Sequence, residues 1–265
     1  MEFIWNSHET LSPVTLGKAI PCSRSKSIRS GCRGRAFYPI DSLESVDAMT
    51  PMDDELWYWN VDAQTAPYLP VFRVRDTESS HGRCATETKQ IHGIDLVRFH
   101  GHACDGLFRG MYAMSLALQS LFPDGVVDRT DLRFLSRNSP CLGDVGAYLT
   151  GGRVRFGTQD VRNRPGVWYI VQRVSTGKTV EVVEEEGFFP HEIMDMESQL
   201  ANLSGQEKSK VVTLLKQRQD DWLQHSLFPS RPDEHYVVQE MDFTWEDVPY
   251  EHKDTRTDVL YKDVP

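Results

Sequence analysis

Between Gly106 and Phe122, Leu107, Met111, Met114, Leu118 and Leu121 recur at spacings of four, three, four and three residues. That is the apolar stripe of an amphipathic helix, and Pro123-Asp124-Gly125 ends it. Upstream, residues 91–102 read as a short helix or strand. Residues 68–76 read as a strand with Leu69, Val71 and Arg73 on one face and Phe72 and Val74 on the other. Downstream, 131–137 alternates as a strand does, and 141–152 is a short helix stopped by paired glycines. Three β-rich runs follow at 153–156, 166–174 and 178–183, with Thr176-Gly177 as a hairpin turn. The next two helices cover roughly 190–203 and 204–226. In the second, Ser204 and Glu207 have capping-box spacing, and Val211, Leu214, Leu215 and Trp222 are expected inward. A final strand at 236–245 sets Val237, Met241, Phe243 and Trp245 on one side. Strands and helices interleave without strict βαβ alternation. The expectation is an α+β fold, a mixed or antiparallel sheet packed with helices.

Apolar periodicity is sparse before residue 91, which predicts an N-terminal extension over 1–90 that wraps on an α+β domain at 91–250, followed by a tail at 251–265. The aromatic run at 55–62 would anchor that extension. With 265 residues the chain can bury a substantial core.

Charge sharpens this picture. Net charge is −10, and residues 181–265 carry 20 acidic against 8 basic side chains. The rest is near balance, at 21 basic against 19 acidic. The acidic third disfavours nucleic acid and anionic membranes. One basic run, residues 22–35, reads as a mobile loop, and residues 181–187 read as a solvated acidic edge. No apolar run reaches a membrane-spanning length, and the first residues lack the pattern of a secretory signal, so a cytoplasmic protein is expected. Five cysteines, with no CxxC pair, argue against a disulfide framework, a zinc ribbon or a thioredoxin-type motif.

The candidate chemistry lies in "RFHGHACDGLFRG", residues 98–110. If 99–104 is extended, His100, His102 and Cys104 point the same way. Two imidazoles and a thiolate suit zinc, iron or copper. Cys104 also opens the long helix, where unpaired N–H groups favour a thiolate. "NSPCLGD", residues 138–144, repeats the device: Cys141 opens a second helix, and Asp144 is placed to orient a histidine ring. Arg109, Arg137, Arg153 and Arg155 flank the two motifs and would suit a carboxylate or phosphate if they face the site. Tyr112 and Tyr148 are candidate lining or acid/base groups. His81 and Cys84 are expected in an exposed loop.

"FHGHACDGLFRGMYA" resembles the HGHxCPG motif of the FmdE family, which takes its name from formylmethanofuran dehydrogenase. "SPCLGDVGAYLTGGRVRFGTQDV" has the spacing of that family's CxxDAIQxxTGxTxGxGNL segment, with Cys141, Asp144, Thr150, Gly151 and Gly157 on matching positions. "PDEHYVVQEMDFTWEDVP" resembles its closing strand, so the likeness spans about 92–248. The resemblance implies an α+β core, a homodimer and a metal-linked Cys/His site. This chain departs from the pattern at Asp105, where the motif has proline, and at Ala147, where glutamine is frequent. It lacks the C-terminal treble-clef zinc finger, since no cysteine follows Cys141.

Together these features predict a divalent transition metal, zinc or iron, held by His100, His102, Cys104 and Cys141. Cys104, Cys141 and Asp144 would act catalytically, and Arg109, Arg137, Tyr112 and Arg155 would bind a small anionic, thiol-bearing or one-carbon substrate. The alternative is a protein that stores or delivers metal or haem without turnover.

Overall fold

The computed structural model describes residues 61–246 together with Arg256, Val259, Lys262 and Asp263. Contacts divide the chain at Thr50, and every described residue belongs to the unit Pro51–Pro265. The basic run at 22–35, the aromatic run up to residue 60 and most of the C-terminal tail lie outside the described residues.

The elements are helix α1 (Val61–Thr65), strands β1 (Phe72–Arg75) and β2 (Lys89–Ile91), helices α2 (Gly93–His100) and α3 (Asp105–Leu121), and strands β3 (Val127–Asp128) and β4 (Leu132–Arg137). Helix α4 (Pro140–Thr150) and strands β5 (Gln159–Arg162), β6 (Trp168–Arg173) and β7 (Thr179–Glu184) follow. Helices α5 (His191–Gln199) and α6 (Gly205–Trp222) and strand β8 (Tyr236–Glu240) complete the set. A small sheet runs β2-β1-β3 and a larger one β5-β4-β6-β7-β8. The larger sheet is antiparallel except for the parallel pair β4–β5, so the fold is α+β with mixed sheets.

Helix α3 organises the core. Its expected stripe is buried throughout, and Phe108, Tyr112, Ala113 and Ala117 are buried as well, so the helix is covered on nearly every side. The inner face of the larger sheet carries Phe134, Tyr169, Val171, Val180 and Val182, all fully buried. Pairing sets Tyr169 opposite Val182 and Val171 opposite Val180, which keeps these side chains on one face. Ala63, Phe72, Val74 and Ile91, from the region expected to be an extension, join the same core.

Several elements differ from the pattern reading. Residues 154–156 form a 3-10 turn closed by Gly157 in the left-handed region, and the strand comes later, at 159–162. Ser204 is the N-cap of α6, but its side chain makes no capping bond. Leu214 is exposed and only Leu215 and Trp222 of the expected inward set are buried, because α6 is solvated on most of its circumference. The last strand ends at Glu240, with Tyr236 inward and Val237 exposed. Residues 181–187 are not a uniform solvated edge: Glu185 and Glu186 are exposed, whereas Glu181 is buried and Glu184 has a side chain only 6 % exposed.

Helix α4 lies flat on β4 because Gly146 has no side chain. A Cβ there would sit 2.2 Å from the Phe134 ring. Gly146→Ala is therefore expected to destabilise the protein by about 2 kcal/mol or more through overpacking. Gly143→Ala meets only Gln159 Nε2, at 3.7 Å. It should raise stability by about 0.5–1 kcal/mol through the better helix propensity of alanine. Chemical denaturation of both variants checks this, and equal effects would refute the packing account.

Candidate metal centre

Helix α2 stops at His100 because Gly101 turns left-handed, φ 100°, and returns its N–H to Val97 O. This helix end, not an extended segment, is what folds the next residues back: the rings of His100 and His102 lie 4.5 Å apart, centroid to centroid. The chain then extends through Cys104, the N-cap of α3. The expected convergence is present, and a capped helix end produces it instead of a strand. The coordinating atoms of His100, His102 and Cys104 all lie within 4.8 Å of one another.

The second thiol arrives by close helix packing. A Cβ on Gly106 would stand 3.0 Å from Cys141 Sγ, and one on Gly110 would stand 2.8 Å from Tyr169 Oη and 3.0 Å from Leu142 Cδ2. These two glycines, one helical turn apart, form the groove of α3 that receives the start of α4. Tyr169 pins that start from the sheet by donating to Leu142 O at 3.0 Å. The outcome is a Cys104–Cys141 sulfur separation of 3.6 Å.

Two features make the set fit for a metal. Asp144 accepts from His100 Nδ1 at 2.8 Å, which fixes the ring and presents the Nε2 lone pair to Cys104 Sγ, 3.7 Å away. Metal–sulfur bonds of about 2.3 Å and metal–nitrogen bonds of about 2.0 Å give tetrahedral edges of roughly 3.8 Å for S···S and 3.5 Å for S···N. The observed edges of 3.6 Å and 3.7 Å lie close to those values. In the metal-free pair, Cys104 donates its proton to Cys141. That shared bond, then burial, raises the Cys104 thiol. The same bond, opposed by burial and aided by His100, lowers Cys141 to about 6. Partial desolvation, then His100 and Lys216, lower His102, which favours its neutral, ligand-competent form.

Cys104, Cys141 and His102 open onto a cleft of about 450 Å³ between the starts of α3 and α4 and the α5–α6 pair. Arg137 and Ser139 border it beside Cys141, and Val212, Leu215, Lys216 and Gln219 form the α6 wall. Arg137 therefore stands where the motif places it. Arg109 also borders the cleft, but its guanidinium is committed: Nε donates to Glu184 Oε2 at 2.9 Å, one terminal nitrogen to Glu184 Oε1 at 2.5 Å and the other to Asp105 Oδ2 at 3.2 Å. It also lies 3.7 Å over the Phe189 ring. Burial works against the Arg109 charge, yet Glu184 and Asp105 hold it above the ordinary value. Asp105 is buried and raised by that burial, with Arg109 pulling it back. The proline-to-aspartate departure thus has a partner built for it.

Two expected substrate residues are not at the cleft. Tyr112 is fully buried in the core and its hydroxyl lacks a hydrogen-bond partner among the described residues. Arg155 is exposed on the 3-10 turn beyond α4 and is not among the cleft residues. Tyr148 packs against Phe99, with ring centroids 5.2 Å apart. His81 and Cys84 do not border the cleft either, and Cys84 bridges to Thr77 within its own loop. The pattern reading missed Glu184, although strand alternation puts it on the buried Val180–Val182 face. It also missed Gly106 and Gly110, whose four-residue spacing was the available signal.

Comparisons with known proteins agree with the motif resemblance. Residues 99–229 match the model of the family described as FmdE, Molybdenum formylmethanofuran dehydrogenase operon. No curated protein matches the chain. A solved structure of an FmdE-like protein of tungsten formylmethanofuran dehydrogenase, from Syntrophus aciditrophicus, is similar at 18 % identity and a TM-score of 0.37, covering 58 % of this chain and 74 % of that one.

The thiol pair sets a pH signature. In metal-free protein, Cys141 is a thiolate above about pH 6 and protonated below it. Alkylation of Cys141 by iodoacetamide, followed by peptide mass spectrometry, should rise through a midpoint near that pH, with Cys104 reacting far more slowly. A midpoint near the ordinary thiol value of about 8.5 would contradict the shared-proton arrangement.

Proposed function

The chain carries a domain of the FmdE family over residues 99–229, and from that premise we propose a metal-dependent enzyme acting on a small anionic, thiol-bearing or one-carbon substrate. The observation that carries this reading is that the His/Cys donor cluster opens onto a cleft large enough for a small molecule. His100, His102, Cys104 and Cys141 would hold one zinc or iron ion. Such an ion supplies Lewis acidity to an oxygen or sulfur atom of a bound substrate.

The remaining roles belong to the chain. Asp144 fixes the His100 ring through the 2.8 Å bond at Nδ1. Arg137 is exposed at the cleft beside Cys141 and is placed to take an anionic group. Arg109 and Glu184 hold the first turn of α3, so Arg109 acts on substrate through Cys104's position and not by direct contact. Val212 and Leu215 give the opposite wall an apolar strip against which the body of the substrate rests. Haem fits this cleft less well, because Asp105, Arg109, Arg137, Glu197 and Lys216 all border it and an apolar macrocycle would desolvate them. The reading takes the protein as a cytoplasmic homodimer that binds neither nucleic acid nor membrane. An acidic C-terminal third supports this in part, as does the absence, among the described residues, of a helix long and apolar enough to cross a membrane.

Protein purified without oxygen should hold about one equivalent of metal or regain it on reconstitution, measured by elemental analysis. Asp144→Asn should weaken metal affinity by about 10–100-fold. Cys104→Ser should abolish metal retention with the circular dichroism spectrum unchanged. Fewer than about 0.2 equivalents after reconstitution would overturn the proposal, and unfolding of Cys104→Ser would instead mark the ion as a structural one.

A further inference from the structure

Arg153, expected from sequence to serve the thiol site, is found at the other end of α4. It borders a separate cavity of about 470 Å³ together with Lys89, Arg129, Arg256, Gly151 and Asp76. Four cations thus face one carboxylate, in a chain whose net charge is −10. Asp76 is already shared: a single oxygen, Oδ2, takes Lys89 Nζ at 2.5 Å and an Arg129 terminal nitrogen at 3.0 Å. Arg153 donates to Gly152 O at 2.7 Å and Ala147 O at 3.4 Å, covering the last carbonyls of α4. Gly151, with φ 68°, leaves the room that Arg256 enters: a Cβ there would meet an Arg256 terminal nitrogen at 2.8 Å. Backbone carbonyls satisfy hydrogen bonds but do not balance formal charge. The Arg129 Nε, meanwhile, is buried and has no acceptor among the described residues.

From this convergence we infer that the cavity at the C-terminal end of α4 binds a phosphate-type oxyanion, either free phosphate or the phosphate of a monoester. A dianion with several acceptor oxygens offsets a surplus of about three charges and offers an acceptor to Arg129, which one monocarboxylate cannot do from a single plane. The site is independent of the thiol cleft, which lies at the N-terminal end of the same helix.

Calorimetric titration of the full chain with inorganic phosphate, at constant ionic strength, tests this. Saturable one-to-one binding with Kd near or below about 1 mM is expected. Arg153→Gln and Lys89→Gln should each weaken it by about tenfold, the loss of one charge-assisted contact. Both side chains lie at the surface, so a folded variant is expected from at least one of them. Arg137→Gln, at the thiol cleft, should leave the titration unchanged. Glycerol 3-phosphate binding more tightly than phosphate would mark a monoester site, and equal binding would mark a free-phosphate site. No saturable heat up to about 20 mM phosphate, or binding lost with Arg137→Gln but kept in Arg153→Gln, would overturn the inference.

Discussion

The site depends on one contact, the start of α4 lodged in the glycine groove of α3. Gly106 and Gly110 remove the side chains that would hold the helices apart, and the Tyr169 hydroxyl fastens Leu142 O from the sheet beneath. Only at that approach do two cysteines 37 positions apart come to 3.6 Å. Both sulfurs then sit at helix starts, where unpaired N–H groups and the helix dipole favour negative charge. Chelation geometry is thus a by-product of helix packing, with the imidazoles added by the left-handed turn at Gly101.

A second constraint keeps that contact in place. Aspartate at the first position of α3 would be an unpaired charge in a buried setting, with a cost of several kcal/mol. Arg109, one turn on, answers it, and Glu184 at the end of β7 holds Arg109 with two bonds. Tyr236 from β8 completes the chain by donating to Glu184 Oε2 at 3.0 Å. The network ties the thiol-bearing helix start to the sheet edge and takes Arg109 out of the pool of substrate-binding cations. Arg137 is left as the cation beside Cys141.

Much of this was legible in the sequence. The 3.6-residue stripe of α3, the hairpin at Thr176-Gly177, the helix ending at Gly151 and the paired motifs around Cys104 and Cys141 all rest on local rules, and local rules are what a single sequence carries. The convergence of His100, His102 and Cys104 was right for the wrong reason, since a capped helix end and an extended strand both bring alternate residues together here. Residues 153–156 look like a strand by composition, yet Gly157 turns the backbone before a ladder can form. Leu214 and Val237 fit an apolar pattern and face outward, because which face is covered depends on partners distant in sequence. Glu184 was hidden in an acidic run whose parity, not its charge, gave its position away.

The central claim is that the two sulfurs and the imidazoles share one ion. X-ray absorption at the metal edge of the reconstituted protein tests it most directly. The account predicts two sulfur neighbours at about 2.3 Å and one or two imidazole nitrogens at about 2.0 Å, with Cys141→Ser reducing the sulfur count to one. A shell of oxygen and nitrogen alone, or a sulfur count unmoved by Cys141→Ser, would contradict it.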